Sequence, residues 1–207
     1  QFISSVDFPC LGARGSLRQG ACIVRTFGSL GDSDAIDDLA GELQQFGRAL
    51  LDREATFRSF VAVFPLNIPE TETEFDGRLW GHLQRLHDAD DGSTPWSSNA
   101  SDNPEYSNFS FSFDGVAYFI VGLSPVSSRI ARQFRFPALV FNPHGVFDRL
   151  RAEGRLERMK AVIRERDVRL QGSINPNLSD FGENSEARQY SGLDHPADWK
   201  CPFHRSR

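Results

Sequence analysis

The sequence predicts an α+β fold: a single domain, residues 1–207, with helices packed on a mixed, largely antiparallel sheet. Three observations predict it. Strand-like and helix-like segments mix without the regular alternation that builds an all-parallel sheet. Asp114-Gly115 stands between two apolar runs, and Asp-Gly is a strong hairpin signal. A chain of 207 residues, 39% of them hydrophobic, has material for one sizeable core rather than two.

The elements follow in order. Residues 1–20, with Pro9 and several glycines, read as loop. Ala21–Phe27 reads as a short buried strand, and Gly28–Gly31 as a turn. Ser33 or Asp34 caps a helix whose stripe Ile36, Leu39, Leu43, Phe46 and Leu50 has helical spacing. Phe57–Phe64 is a second strand, ended by Pro65 and Pro69. Phe75–Asp88 is helical, with Leu79, Leu83 and Leu86 on one face. Asp90–Pro104 is a long polar loop in which Trp96 needs a partner surface. Phe109–Phe113 alternates as a strand, and Val116–Leu123 returns after the turn. Ser127–Gln133 forms a short helix and Pro137–Phe141 another strand. His144–Leu150 and Leu156–Arg169 are helices broken at Gly154, and the chain from Gln171 is irregular.

Composition excludes several classes. The net charge of −5 argues against nucleic acid as partner. The charge is uneven, because residues 129–169 carry eleven of the basic groups and five of the acidic ones. Such a stretch holds a local anion or is a solvated helix face. No apolar run reaches the roughly 20 residues that span a bilayer, so no membrane partner is expected. Cys10, Cys22 and Cys201 are too few, and odd in number, for a disulfide framework. The start carries no secretory leader, and a cytoplasmic location is expected. There is no His-x-x-x-His or Cys-x-x-Cys pair, no Gly-x-Ser-x-Gly elbow and no phosphate-binding glycine loop. Eighteen Phe against three Tyr and three Trp make a dry interior. That is an ordinary aromatic core or a lining for a flat apolar cofactor.

The residues that could carry chemistry are few. His87 edges the apolar stripe of its helix beside Asp88 and Asp90, as a core histidine or a ligand. His144 follows Asn142-Pro143 where a strand passes into a helix, and such junctions aim functional groups. It is an axial ligand for haem iron or a turn histidine. Arg129, Arg132 and Arg135 clamp carboxylates, either haem propionates or substrate, or form surface ion pairs. Cys10 and Cys201 are thiolate ligands or inert buried thiols.

A set of strings in register extends the reading. They are Phe8-Pro9-Cys10; Leu86-His87-Asp88; Phe109–Phe113 before the hairpin; Val121-Gly122-Leu123-Ser124-Pro125 running on to Arg129 and Arg132; and Phe141-Asn142-Pro143-His144. Further on come Ile163–Asp167; Leu170–Pro176; Gly182-Glu183 with Ser185–Gly192; and Trp199-Lys200-Cys201-Pro202-Phe203. From Phe8 to Phe203 the chain resembles the YqcI/YcgG family. Its Asn-Pro-His form is similar to the branch of haem enzymes that hydroxylate guanidine nitrogens.

The resemblance implies haem b as cofactor, with His144 as the ligand to iron and Arg129, Arg132, Phe141 and Asn142 around the cofactor. It implies a small nitrogen-rich substrate, and dioxygen with an electron donor, or peroxide. His87, Ser124 and Glu186 are the candidate catalytic residues. Glu183 and Glu186, or Asp88 and Asp90, are the carboxylates available to a guanidinium, and Arg188 or Arg129 to a substrate carboxylate. Relatives of the branch often carry His at the position of Ser124 and Gln at that of Val146. These departures favour the alternative of a haem-binding or sensing protein without turnover, and a haem-free relative is the third reading. A homodimer is among the expectations.

Overall fold

Strand polarity and turn chemistry decide the architecture. The structure, a computed structural model, describes residues 10–51, 58–90, 92–177 and 183–205. The strands are β1 (Cys22–Thr26), β2 (Ser59–Val63), β3 (Phe111–Phe113), β4 (Val116–Leu123) and β5 (Ala138–Pro143). They form one sheet in the order β1-β2-β5-β4-β3. Every neighbouring pair is antiparallel except β1 and β2, which are parallel. The helices are α1 (Leu11–Arg18), α2 (Ser33–Leu51), α3 (Glu72–Asp88), α4 (His144–Ala152) and α5 (Leu156–Gln171). Short 3-10 turns occupy Ile130–Arg132 and Glu186–Gln189.

The α+β expectation holds. The hairpin forms at Asp114-Gly115, where both residues have positive φ, 47° and 73°. Such a pair matches the twist of the flanking strands. Gly154, at φ 65°, separates α4 from α5 as expected. The α2 stripe is buried at Ile36, Leu39, Leu43 and Phe46. Thr71 caps α3 by accepting from the Glu74 N–H.

Three expectations are corrected. Leu11–Arg18 is a helix rather than loop, capped by the Cys10 Sγ accepting from the Ala13 N–H. β1 is not buried: it is the first strand of the order, and Val24 is 53% exposed. The alternating stretch from Phe109 is a strand only from Phe111, with Phe109 in an isolated bridge to Ser101. Phe57 lies outside the described residues.

Alternation along the strands assigns the two faces of the sheet. Phe60 and Phe141 are register partners, as are Ile120 and Phe141. All three are fully buried, with Phe46 of α2 against Phe60 and Tyr118. On the same face Gly122 lets α3 approach, since a Cβ there would stand 2.8 Å from Leu79 and 2.9 Å from Phe75. The other face carries the row Val61, Val140 and Val121, followed by Asn142 and Phe119. These five are only half-buried. Phe147 of α4 meets this face at Phe119, ring centroids 6.2 Å apart. No helix among the described residues is long and apolar enough to cross a membrane.

Candidate functional site

β5 ends at Pro143, and His144 opens α4. Its Nε2 lies 3.0 and 3.2 Å from the two carboxylate oxygens of Glu186, the first residue of the 3-10 turn Glu186–Gln189. Both side chains are largely withdrawn from water, at 12% and 7% exposure. Glu186 Oε1 also accepts from the Tyr190 hydroxyl at 2.6 Å. The Phe111 N–H donates to the same hydroxyl at 3.0 Å. A directed chain therefore runs from the main chain of β3 through phenol and carboxylate to imidazole. Phe119 and Phe147 flank it, with His144 6.1 Å from Phe147 and Tyr190 6.0 Å from Phe119.

Burial disfavours charge on His144, but the hydrogen bond and negative charge of Glu186, helped by Asp148, outweigh it. The pKa rises above the ordinary imidazole value.

Arg132 braces this arrangement. It is buried and donates to the carbonyls of Gly122, Tyr190 and Gln189 at 3.2, 2.8 and 2.6 Å. Burial lowers its pKa to about 10. Gly122 N–H in turn donates to the Tyr190 carbonyl at 2.7 Å. A Cβ at Gly192, whose φ is +86°, would stand 2.8 Å from the Arg132 side chain. The guanidinium thus ties the segment bearing Glu186 and Tyr190 to β4.

The other predicted residues separate into structural and peripheral positions. Arg129 is buried, donates to Asp167 at 2.6 Å, and reaches Ser173 Oγ and carbonyl at 3.1 and 3.0 Å. Arg129 and Arg132 therefore hold protein groups where anion clamps were expected. Arg188 is likewise spent on the carbonyls of His195, Pro196 and Trp199. Phe141 faces α2 and lies in the core, so it is no wall of the His144 site. Asn142, one residue on, faces the other way and bonds Ser59 Oγ and the Phe119 carbonyl. Ser124 is buried in a turn, with its Oγ accepting from the Val126 N–H. Glu186 serves His144 and Tyr190 rather than standing open to a guanidinium, while Glu183 lies exposed. Burial pushes the Cys201 thiol up to about 12, which disfavours a thiolate there.

His87 belongs to a second region. It lines a cavity of about 480 Å³ with Asp88, Asp90, Trp96, Ser112 and Arg205. Its ring stands edge-on to Trp96 at 5.6 Å and 5.3 Å from Phe203. Burial lowers its pKa, against the pull of Asp88 and Asp90. The cavity and the His144 chain meet along β3, where Ser112 lines the one and Phe111 anchors the other.

Sequence reasoning missed Tyr190 and the bracing role of Arg132. The four-residue spacing of Glu186 and Tyr190, which places side chains on one side of a helical turn, was the available signal. Among the described residues, no three His, Cys, Asp or Glu side chains gather into a metal cluster.

A sequence model of the YqcI/YcgG family matches residues 1–204. YcgG of Bacillus subtilis (strain 168) is 29% identical over 208 residues, covering 95% of this chain and 80% of that protein. YqcI of the same organism is 26% identical over 209 residues, with the same coverage. No solved structure matches the chain.

Proposed function

The chain belongs to the YqcI/YcgG family, and on that membership and the His144–Glu186 contact we propose a haem-dependent oxygenase that hydroxylates nitrogen on a small, guanidine-like substrate. The contact is the observation that carries the reading. Histidines that ligate metals characteristically give their second ring nitrogen to a carboxylate, which fixes tautomer and ring plane. Glu186 engages Nε2 with both carboxylate oxygens and so holds the ring in one orientation. The half-buried row Val61, Val140 and Val121, with Phe119 beyond it, is an apolar floor on the face that α4 meets. This histidine and this apolar face are what support a haem here. Arg129 and Arg132 do not fit as its propionate clamps, because their donors are already spent on Asp167, Ser173 and three carbonyls.

When bound, haem b would supply the activation of dioxygen, with an external electron donor, or of peroxide. The chain's own residues do the rest. His144 would hold the metal, Glu186 would orient the imidazole, and the valine row would offer the cofactor an apolar face. A cationic substrate would meet the His87 cavity at Asp88, Asp90 and Trp96, where it would take the place of the Arg205 guanidinium that lies 6.0 Å over the Trp96 ring.

Titrating the purified protein with hemin while recording absorbance tests the reading. A Soret band that saturates at one haem per chain is expected, weakened or displaced in His144→Ala. A protein that stays colourless sinks it. Product formation from a guanidine substrate with peroxide or a reductase then separates an oxygenase from a haem-binding protein without turnover.

A further inference from the structure

We infer that Tyr190 is a positioning residue that sets how strongly Glu186 holds His144. The inference rests on the reading of His144 and Glu186 as a working pair. Tyr190 is fully buried, stacked on Trp80 at 5.5 Å and edge-on to Phe119 at 6.0 Å, so its ring has one place to be. Its backbone is pinned twice, by the Gly122 N–H and by Arg132.

The direction of its hydroxyl proton follows from its partners. The Phe111 N–H donates to the phenolic oxygen, so the phenol's own hydrogen goes to an acceptor. Two are near: Glu186 Oε1 at 2.6 Å and the Tyr118 carbonyl at 3.4 Å. The shorter contact, to a carboxylate, takes it. Phenol and imidazole therefore compete for the electron density of one carboxylate. Phe111 sharpens the competition, because a donor to the phenolic oxygen makes the phenol a better donor.

A tyrosine rather than a phenylalanine here gives the buried Phe111 N–H an acceptor and Glu186 a second donor. The ring packing would be served by either. The hydroxyl instead receives a β3 N–H and passes the polarisation on to the carboxylate behind His144. Arg132, reaching three carbonyls of the same junction, acts one step further back by fixing the Tyr190 main chain.

Two variants with opposite expected signs test this. Tyr190→Phe removes the competing donor. Replacing Tyr190 with 3-fluorotyrosine keeps the shape and makes the phenol a stronger donor. In the metal-free protein at fixed pH, the His144 Nε2–H proton resonance should move downfield in the first and upfield in the second. In hemin-loaded protein the midpoint potential should fall in the first and rise in the second, as the imidazole becomes richer or poorer in electrons. A resonance that stays in place in both variants overturns the inference. If wild-type protein takes up no hemin, the oxygenase reading fails, while the metal-free resonances still decide the role of Tyr190. The fluorinated variant keeps the test open should Tyr190→Phe fail to fold.

Discussion

Two histidines sit in buried surroundings of opposite character. His82, on α3, is fully buried; its Nδ1 accepts from the Gly31 N–H at 3.1 Å, and Phe64 meets its ring edge-on at 4.9 Å. Burial, aided by Arg85, lowers its pKa to about 3, so the ring is neutral. His144 is nearly as withdrawn, yet the carboxylate of Glu186 raises its pKa. Burial alone makes an imidazole a packing element. Burial beside a carboxylate lets it keep its charge. Depth inside the protein is therefore not what separates the two.

The contrast is broken most visibly by pH. The unfolded chain protonates His82 near 6.5, whereas the folded protein resists until about 3. The stability His82 allows is therefore present above 6.5 and lost as pH falls toward 3, by on the order of 4 kcal/mol in total. His144 behaves in the opposite sense. Its contribution is present below the unfolded pKa and is lost as pH rises through its raised folded pKa. Urea midpoints measured from pH 7 to 3.5 should fall steeply in the native sequence. In His82→Asn, which keeps an acceptor for Gly31, that descent should flatten. An unchanged descent would remove His82 as its source.

Glu186→Ala attacks the other member of the comparison. It strips a buried imidazole and a buried phenol of their common acceptor, and breaking such pairs costs roughly 3 kcal/mol. The NMR titration of His144 should then lie below the ordinary imidazole value, since burial remains and the carboxylate is gone. His82 should not move. A His144 that titrates unchanged would show that Glu186 is a bystander.

How much of this was legible in the sequence differs between the two levels. The stripe through Leu39 and Leu43, the Asp-Gly turn and the Gly154 break are local patterns, and each produced its element. β1 went astray because apolar character does not say whether a strand is central or at an edge. Its parallel pairing with β2 went unseen because a single βαβ unit makes no periodicity. The site suffered more. His144 and Glu186 were both candidates, but 42 residues separate them and nothing local joins them. Arg129 and Arg132 misled for a related reason. An arginine awaiting an anion and an arginine buried against carbonyls are spelled alike, and only the tertiary neighbours tell them apart.

Gly122→Ala probes the brace near His144. A Cβ there would meet Leu79, Phe75 and the Tyr190 carbonyl, all within 3 Å. Overpacking of this kind costs about 1–3 kcal/mol. Because one of the three contacts is main chain of the segment that carries Glu186, the change should also disturb the His144 Nε2–H resonance. A melting temperature that falls while that resonance stays put would mean that α3 takes up all the strain.

The smallest expected effect comes from Asp148. It lies one turn along α4 from His144 and adds to the field that raises the histidine's pKa. It is also 42% exposed and paired with Arg151 at 2.8 Å. Water and that guanidinium screen it, so its influence should be far weaker than that of Glu186 at 3.0 Å. In Asp148→Asn the His144 titration should move downward by less than in Glu186→Ala, and stability should change by at most a few tenths of a kcal/mol. Raising the salt concentration should erase the Asp148 effect while leaving that of Glu186 largely intact, because a buried pair is screened much less than an exposed one. If both effects fade together with salt, the His144 pair is in contact with solvent. The distinction from His82 would then rest on exposure rather than on the carboxylate.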